Sequence, residues 1–578
     1  MFLKCLGRLV VVVVLLLCLV PAVAAKGKIV LRHELVGEQQ YRVPHRSTIK
    51  DSSFVYGEAA AAVKWLHKKQ FLLASFDSTV CMADTCTMHI YVGQRFLHAD
   101  IWPATSVTNA LSQAGFSPLK PLRPAQYLSG QKRILQYFED TGYPFAQLVL
   151  DSLSLEGGRV RARLSAETGE RWRVGKVLFS DTAGARTVFL YNQITIHPGN
   201  FYSQKYIDAI SERIDQLAFI GSTGEPVVSF DIPGYAVLTV PVQKIRANSF
   251  DGIIGFAPSS ADNDKLMVTG NISLNLHNAL HQGEELKLEW KKLDEYSQNA
   301  SVEPSIKYIA GSRLGSNAGL WIEKQDTSIL NTRILGQFSY YFKGFSSAGV
   351  HYKQVHSSLI SAEAYDSVSH QLHVLESRLQ MAGISFAATR TDRRINPQKG
   401  YALQLEASSG AKRYKQGAGV PDSVFAPYAT RSEVFELGFE AELFVPLTKP
   451  LVLMLGSEGK WLYAPNLFLN ELYRLGGAKS LRGFNEQSIY ASAFSIGTAE
   501  LRLLFDKQSN IYLFYNQAVY RSLTVNSDVS DCPLGFGIGL NVASRNSTFN
   551  ITYAVGRQFD GPILFSAGKI HFGLVNRF

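Results

Sequence analysis

The chain has 578 residues, a formal net charge of +10 at pH 7, 46% hydrophobic residues and 18% charged ones. That length allows several domains, and the cationic excess is not gathered into basic runs interleaved with aromatics, which argues against a nucleic-acid reader. Past the N-terminal segment no apolar run approaches the roughly 18 residues a membrane helix needs, so helical spans are excluded there.

The first residues, MFLKCLGRLVVVVVLLLCLVPAVAA, place Lys4 and Arg8 before an apolar run from Leu9 to Val20. Pro21 breaks the run, and Ala22, Val23 and Ala24 supply small residues for cleavage. This is the layout of a secretory signal peptide over 1–25 and predicts export. Farther on, Cys81 and Cys86 flank the tip MADT between two apolar runs. The spacing suits a hairpin disulfide in an oxidising compartment, with two free thiols as the alternative. No second Cys/His pair has ligand spacing, so neither a metal nor a cofactor is expected.

From Gly57 a pattern recurs. GEAAAAVKWLHKKQFLLASFDS, GQKRILQYFEDTGYPFAQLVLDS and SQKYIDAISERIDQLAFIGSTGEPVVSF begin 73 residues apart, at Gly57, Gly130 and Ser203. Each opens on a helical stripe (Ala59, Ala62, Val63 and Leu66 in the first; Ile207, Ile210, Ile214 and Leu217 in the third) and continues as strand, polar turn and strand. KIVLRHELV and RVGKVLFS add strands ahead of the first and third helices. Tandem repetition of this kind predicts three small α/β modules, over 26–93, 94–168 and 169–245.

After Asn248 the period becomes two. In EVFELGFEAELFV, Phe435, Leu437, Phe439, Ala441, Leu443 and Val445 share one face, and Glu436, Glu440 and Glu442 the other. EELKLEWKK, YALQLEA, AELRLLF and the terminal KIHFGLVNRF repeat the scheme. An apolar outside with a wet inside, in a segment without helices, predicts a transmembrane β-barrel over 248–578 with about 16 antiparallel strands. A soluble β-sandwich is the alternative, and the strongly apolar outward faces oppose it. In the last strand Ile570, Phe572, Leu574 and Phe578 lie on one face, and the chain stops on that aromatic.

Between two such strands lies LGGAKSLRGFNEQSI, Leu475 to Ile489, with Gly476 and Gly477 followed by Leu481, Arg482, Gly483 and Phe484. Repeats of about 75 residues ahead of a barrel, together with this loop, resemble the BamA/TamA superfamily, also called the bacterial surface antigen family. TDRRINPQKGYALQLEA at Thr391 to Ala407 and ASAFSIGTAELRLLF after the loop also resemble family segments. The resemblance covers nearly the whole mature chain and names the modules POTRA (polypeptide-transport-associated) domains. Three of them look more like TamA than like BamA, which usually has five. The terminal aromatic strand likewise resembles the signal by which outer-membrane barrels are recognised for assembly.

The resemblance implies that the loop folds into the lumen and that its arginine meets acidic residues of the inner wall. Parity within AELRLLF independently puts Glu500 on the inward face, a bidentate partner for Arg482. Gly483 would let the backbone approach the wall, and Phe484 would pack beside the pair. The family's second acidic position corresponds to Asn516, an amide without charge, which leaves Glu486 or Glu440 as substitutes.

The implied function is non-enzymatic: an outer-membrane assembly factor whose clients, unfolded outer-membrane proteins, enter at a lateral seam between the first and last strands. Asn248, Phe250, Ile253 and Phe256 would face Ile570, Phe572, Leu574 and Phe578 there. The barrel would sit in outer-membrane lipid with its modules in the periplasm, open to a periplasmic or inner-membrane partner of TamB type. A two-partner secretion transporter exporting a single passenger is the alternative, which would need a plug helix before the first module. A barrel enzyme lacks a Gly-x-Ser-x-Gly motif, and His277 and His281 read as a hairpin turn.

Overall fold

Strand alternation and helical stripes become a barrel and a string of α/β units in the computed structural model. It describes residues 29–578 apart from 37–47, 50–54, 70, 83–84, 97, 116–123, 157–158, 259–265, 293–296, 326–328, 343–345, 361–364, 367–370, 373, 417–419, 479, 507 and 545–546. The signal segment expected at 1–25 and the Ala83-Asp84 tip of the first hairpin lie outside the described residues.

Three α/β units share one plan: strand, helix, then a hairpin whose second strand lies parallel to the first strand of the unit. The first unit holds β1 (Ile29–Val36), α1 (Val55–Lys68), β2 (Ser75–Met82) and β3 (Thr85–Tyr91), with β3 between β1 and β2. The second holds β4 (His98–Pro103), α2 (Pro124–Asp140), β5 (Gln147–Glu156) and β6 (Arg159–Glu167), with β6 in the centre. The third holds β7 (Arg173–Phe179), α3 (Thr187–Ile194), β8 (Val227–Ile232) and β9 (Tyr235–Val240), with β9 in the centre.

Each sheet buries one face against its helices. Ala59, Ala62 and Leu66 of α1 pack with Met88 and Ile90 of β3, and Ile134 and Phe138 of α2 with Val160 and Leu164 of β6. Cys81 and Cys86 are register partners across the β2–β3 hairpin and are joined by a disulfide.

Two features depart from the sequence expectation. The stripe of the third unit forms two short helices, Gln204–Asp208 and Ile210–Ile214, meeting at Ala209, while Ile207, Ile210, Ile214 and Leu217 all still reach the core. Helix α3 had no sequence signal because it has no polar stripe: Phe189, Leu190, Asn192, Gln193 and Ile194 are all buried.

The remaining chain closes into an antiparallel barrel. Its strands are β10 (Ser249–Pro258), β11 (Leu266–His277), β12 (Glu285–Lys292), β13 (Gln298–Ile306), β14 (Leu314–Gln325) and β15 (Ile329–Tyr341). Then follow β16 (Ser347–Leu359), β17 (Glu376–Thr391), β18 (Gly400–Lys415), β19 (Ser432–Thr448) and β20 (Leu451–Tyr463). The last are β21 (Ala493–Leu504), β22 (Asn510–Leu523), β23, β24 (Ser547–Arg557) and β25 (Lys569–Arg577). Strand β23 runs as Asp528–Asp531 and then Leu534–Ala543, both pairing with β22, with an interruption at Cys532-Pro533. Proline lacks the N–H that a ladder needs, which accounts for the break. Sixteen strands result. Phe435, Leu437, Phe439 and Leu443 of β19 are exposed on the outer wall, while Glu436 is buried on the inner.

The third unit grips the turn end of the barrel. Tyr308, in the turn between β13 and β14, lies in that unit's own core, with ring centroids 5.6 Å from Phe189 and 5.5 Å from Tyr341. Asn192 Nδ2 donates to Gly311 O at 2.8 Å, Asn278 Nδ2 to Ala183 O at 3.1 Å, and Gln216 Nε2 to Thr391 O at 2.8 Å. The barrel turns thus complete the hydrophobic core of the unit. Tyr308→Ala is therefore expected to cost about 3–5 kcal/mol of docking and local stability, on the scale of aromatic truncations in cores. Hydrogen exchange over Thr187–Ile194 should accelerate at least tenfold, and unchanged protection would show that the barrel does not hold this unit.

Candidate functional site

The connection between β20 and β21, residues 464–492, is long, and its conformation follows from its own short-range chemistry. A single turn at Leu469–Glu471 leads into a hairpin in which Tyr473–Leu475 pairs with Ile489–Ala491. Gly476 and Gly477 leave the hairpin with φ of +112° and +100°, where a Cβ is strained. Ser480 Oγ closes the turn by accepting from Gly476 N at 2.9 Å and donating to Gly476 O at 3.1 Å.

Among the described residues, four ion pairs tie this loop to strands around the lumen. Glu471 meets Lys412 of β18 at 3.2 Å, Arg474 meets Glu323 of β14 at 3.1 Å, and Glu486 meets Lys291 of β12 at 3.4 Å. The fourth is Arg482 Nη1 to Glu500 Oε1 of β21 at 2.8 Å. Contacts on several sides put the loop inside the barrel, across its bore.

Lys412 with Glu471 is the most enclosed of these pairs, and Arg482 with Glu500, at the motif itself, is nearly as buried. Arg482 Nε donates to Asn516 Oδ1 at 3.0 Å, and Asn516 Nδ2 donates to Thr498 Oγ1 at 2.7 Å, so the fully buried amide satisfies both its ends. Arg502, two residues beyond Glu500 on the same face, holds the other carboxylate oxygen at 2.6 Å. The Arg482 guanidinium lies 3.8 Å from the centroid of the Phe514 ring, a cation–π contact. Thr498, Glu500 and Arg502 on β21 stand opposite Asn516, Phe514 and Tyr512 on β22, the inward-facing residues of both strands. Period two alone brings them together. Desolvated ion pairs of this kind position their partners strongly, because removing one leaves a buried charge uncompensated.

Backbone approach supports the side-chain contact. Gly483 has φ +94°, and a Cβ there would lie 2.6 Å from Gly556 N on β24. A Cβ at Gly556 would lie 2.7 Å from Gly483 O, and one at Gly535 on β23 would collide with Arg482 O. One loop glycine and two wall glycines make a close-fitting nest.

Past the turn at Gly483, Phe484 packs against a cluster of Leu475, Leu481, Ile489, Ile496 and Tyr520, and the ring over the Arg482 guanidinium is that of Phe514. Neither substitute acid takes Arg482: Glu486 is paired with Lys291, and Glu440 lines the cavity of about 220 Å³ beside Arg482 without pairing with it. Arg502, Phe514, Gly535, Gly556 and Arg474 escaped the sequence reading. Arg502 and Phe514 were findable by extending the inward parity of β21 and β22, but the loop-to-wall distances have no local signal.

At the other functional locus, β10 and β25 share two residue pairs, Ser249↔Arg577 and Phe250↔Asn576, plus a bond from Phe578 N to Asn248 O at 2.9 Å. By contrast β10 shares ten pairs with β11, and β25 eight with β24. Ile253 and Phe256 pair through their backbones with Asn271 and Val268 of β11 rather than with β25. Ile570, Phe572 and Leu574 pair with Tyr553, Ile551 and Phe549 of β24. Phe250, Ile570, Phe572 and Phe578 are exposed. Of the eight residues expected at the seam, Asn248, Phe250 and Phe578 stand at its short paired stretch.

A family model described as the Omp85 superfamily domain matches residues 278–578. No curated protein matches the sequence. Among solved structures, CdiB from Escherichia coli aligns at TM-score 0.52 and 14% identity, covering 91% of this chain and 97% of that one, a likeness of fold. CdiB from Acinetobacter baumannii aligns at 0.47 and 15%, covering 84% and 90%. BamA from Haemophilus ducreyi lacking POTRA domains 1-3 aligns at 0.40 and 15%, covering 84% and 100%.

The loop contact predicts a hierarchy of losses. Glu500→Ala strands two arginines and should cost about 3–5 kcal/mol, whereas Asn516→Ala removes one neutral partner and should cost about 1–2 kcal/mol. Both are read as falls in the temperature at which the folded barrel loses its fast electrophoretic migration. Exchanging the charges (Arg482→Glu with Glu500→Arg) should not rescue, because the new arginine would face Arg502; full rescue would refute the three-residue arrangement.

Proposed function

Because the chain belongs to the Omp85 superfamily, whose members insert or transport proteins at the outer membrane, we propose that it is an assembly factor of BamA/TamA type, nearest to TamA in organisation. Clients add strands at the β10–β25 seam, and no covalent chemistry is involved. The observation that carries this reading is the seam itself: two residue pairs hold together strands that otherwise pair over eight and ten. An edge so lightly closed offers unpaired N–H and C=O groups to an incoming strand.

Strand length supports the same reading. The seam strands have 10 and 9 residues, against 16, 16 and 17 in β17, β18 and β19. At about 3.3 Å per residue, the wall falls from roughly 53 Å of strand to roughly 30 Å at the seam before tilt. A low wall favours a locally thinned bilayer, which lowers the barrier for a client strand to enter lipid. The three α/β units act in this reading as POTRA domains of 26–93, 94–168 and 169–245, in the periplasm. They receive unfolded outer-membrane proteins and a partner of TamB type by edge pairing, and the residues at 1–25 direct export.

Ser249→Cys with Arg577→Cys, a register pair, tests the seam. The oxidised double variant should lose at least tenfold in insertion of a barrel client into liposomes and regain it on reduction. The single Ser249→Cys variant, carried through the same steps, controls for opening of the Cys81–Cys86 bond. Full activity with the seam locked overturns strand addition there. A locked protein that inserts no barrels yet still exports a single passenger overturns it in favour of a two-partner secretion transporter.

A further inference from the structure

On the outer wall, far from the seam, the faces of β17, β18 and β19 carry a pattern that barrel closure does not require. Ala382, Ala407 and Ser409 form a floor of small side chains between Ile384 on one side and Phe435, Leu437 and Trp461 on the other, leaving a groove of about 640 Å³. The register makes this one continuous surface: Ala382↔Ser409↔Phe435 and Ile384↔Ala407↔Leu437↔Trp461 are cross-strand rows.

Four residues farther along each strand, toward the end that bears the 464–492 loop, the same face turns cationic. Arg378 and Arg413 are direct cross-strand partners, and both are exposed. Arg431, exposed and one residue before β19, continues the row beside Arg413, since Ser432 pairs with Lys412. Like charges placed directly opposite destabilise a sheet, and among the described residues neither Arg413 nor Arg431 has an ion-pair partner. Arg378 Nη2 reaches only the neutral Gln354, at 3.4 Å. Two carboxylates share this face. Glu376 is already held by Lys415 at 3.2 Å and by His356 at 3.6 Å, and Glu433 lies one step nearer the groove, opposite Ala411. The patch therefore keeps a cationic excess.

We propose that this wall binds a phosphorylated, multiply acylated glycolipid of the outer leaflet, with its phosphate on the Arg378–Arg413–Arg431 row and one acyl chain in the groove. Guanidinium forks match phosphate oxygens bidentately. Four strand residues separate groove from arginines, roughly 13 Å, the order of distance from a headgroup phosphate to the upper part of an acyl chain. The assignment rests on the periplasmic placement of the α/β units under Proposed function: the third unit holds β17 at its Thr391 end, so the opposite end, which bears the loop and Arg378, faces outward. It adds an anchor that fixes the tall wall while the low wall at the seam works.

The test uses the full-length protein in detergent, titrated by native mass spectrometry with bisphosphorylated hexa-acyl lipid A. The probes for comparison are dephosphorylated lipid A, phosphatidylglycerol and inorganic phosphate. Arg378→Gln, Arg413→Gln and Arg431→Gln together should weaken lipid A binding at least tenfold, and Ala407→Trp, which fills the groove, at least threefold. Heat-modifiable migration confirms that each variant is folded. Equal binding of the dephosphorylated lipid, or of lipid A to the triple variant, overturns the phosphate site. Competition by inorganic phosphate alone, or no effect of Ala407→Trp, overturns the acyl groove, and an apolar protein surface captured there instead would do the same. Client insertion measured in parallel separates failure of this site from failure of the assembly reading, because the variants leave seam and loop intact.

Discussion

A backbone amide in hydrocarbon has no water to bond with, and leaving it unpaired costs several kcal/mol. The barrel answers that constraint strand by strand, with ladders of up to sixteen residue pairs between β17 and β18. Where the answer is thinnest, at two pairs between β10 and β25, the same constraint becomes a source of reactivity. An edge that lipid penalises is an edge that another strand relieves. The proposed activity is thus a local exception to the rule that builds the rest of the wall.

A barrel with a weak seam needs rigidity elsewhere, and two arrangements supply it. Within the bore, the 464–492 loop bridges strands from β12 to β24 through ion pairs and a glycine nest, so walls distant in sequence are tied through one segment. At the turn end, Tyr308 inserts into the core of the third α/β unit, coupling that unit to the barrel as a single packed body. The second and third units are joined in turn, with Phe145 4.7 Å from Phe230 and Asp140 accepting from Lys205 N at 2.7 Å. Movement at the seam is then felt against a fixed loop and a fixed collar.

The replacement of an expected acidic position by Asn516 illustrates how charge is redistributed. The amide keeps one hydrogen bond to Arg482 and uses its other end on Thr498, while Arg502 doubles the cationic demand on Glu500. One carboxylate between two guanidiniums, with an aromatic ring beneath one of them, replaces a simple pair. The arrangement favours a single geometry, since moving either arginine leaves the other in a less compensated site.

Local periodicity carried much of this protein into view. The 73-residue repeat, the change from helical stripe to alternation after Asn248, and the inward parity of Glu500 follow from side-chain direction along strands and helices, which one stretch of sequence determines by itself. What it left hidden is non-local. The insertion of Tyr308 into a neighbouring unit, the ring of Phe514 over Arg482 and the close approach of the Arg482-Gly483 backbone to Gly535 and Gly556 join segments tens to more than a hundred residues apart. Only tertiary structure decides which inward faces meet across a lumen, and how short a seam can be, because those depend on barrel closure and loop reach rather than on any residue's own neighbours.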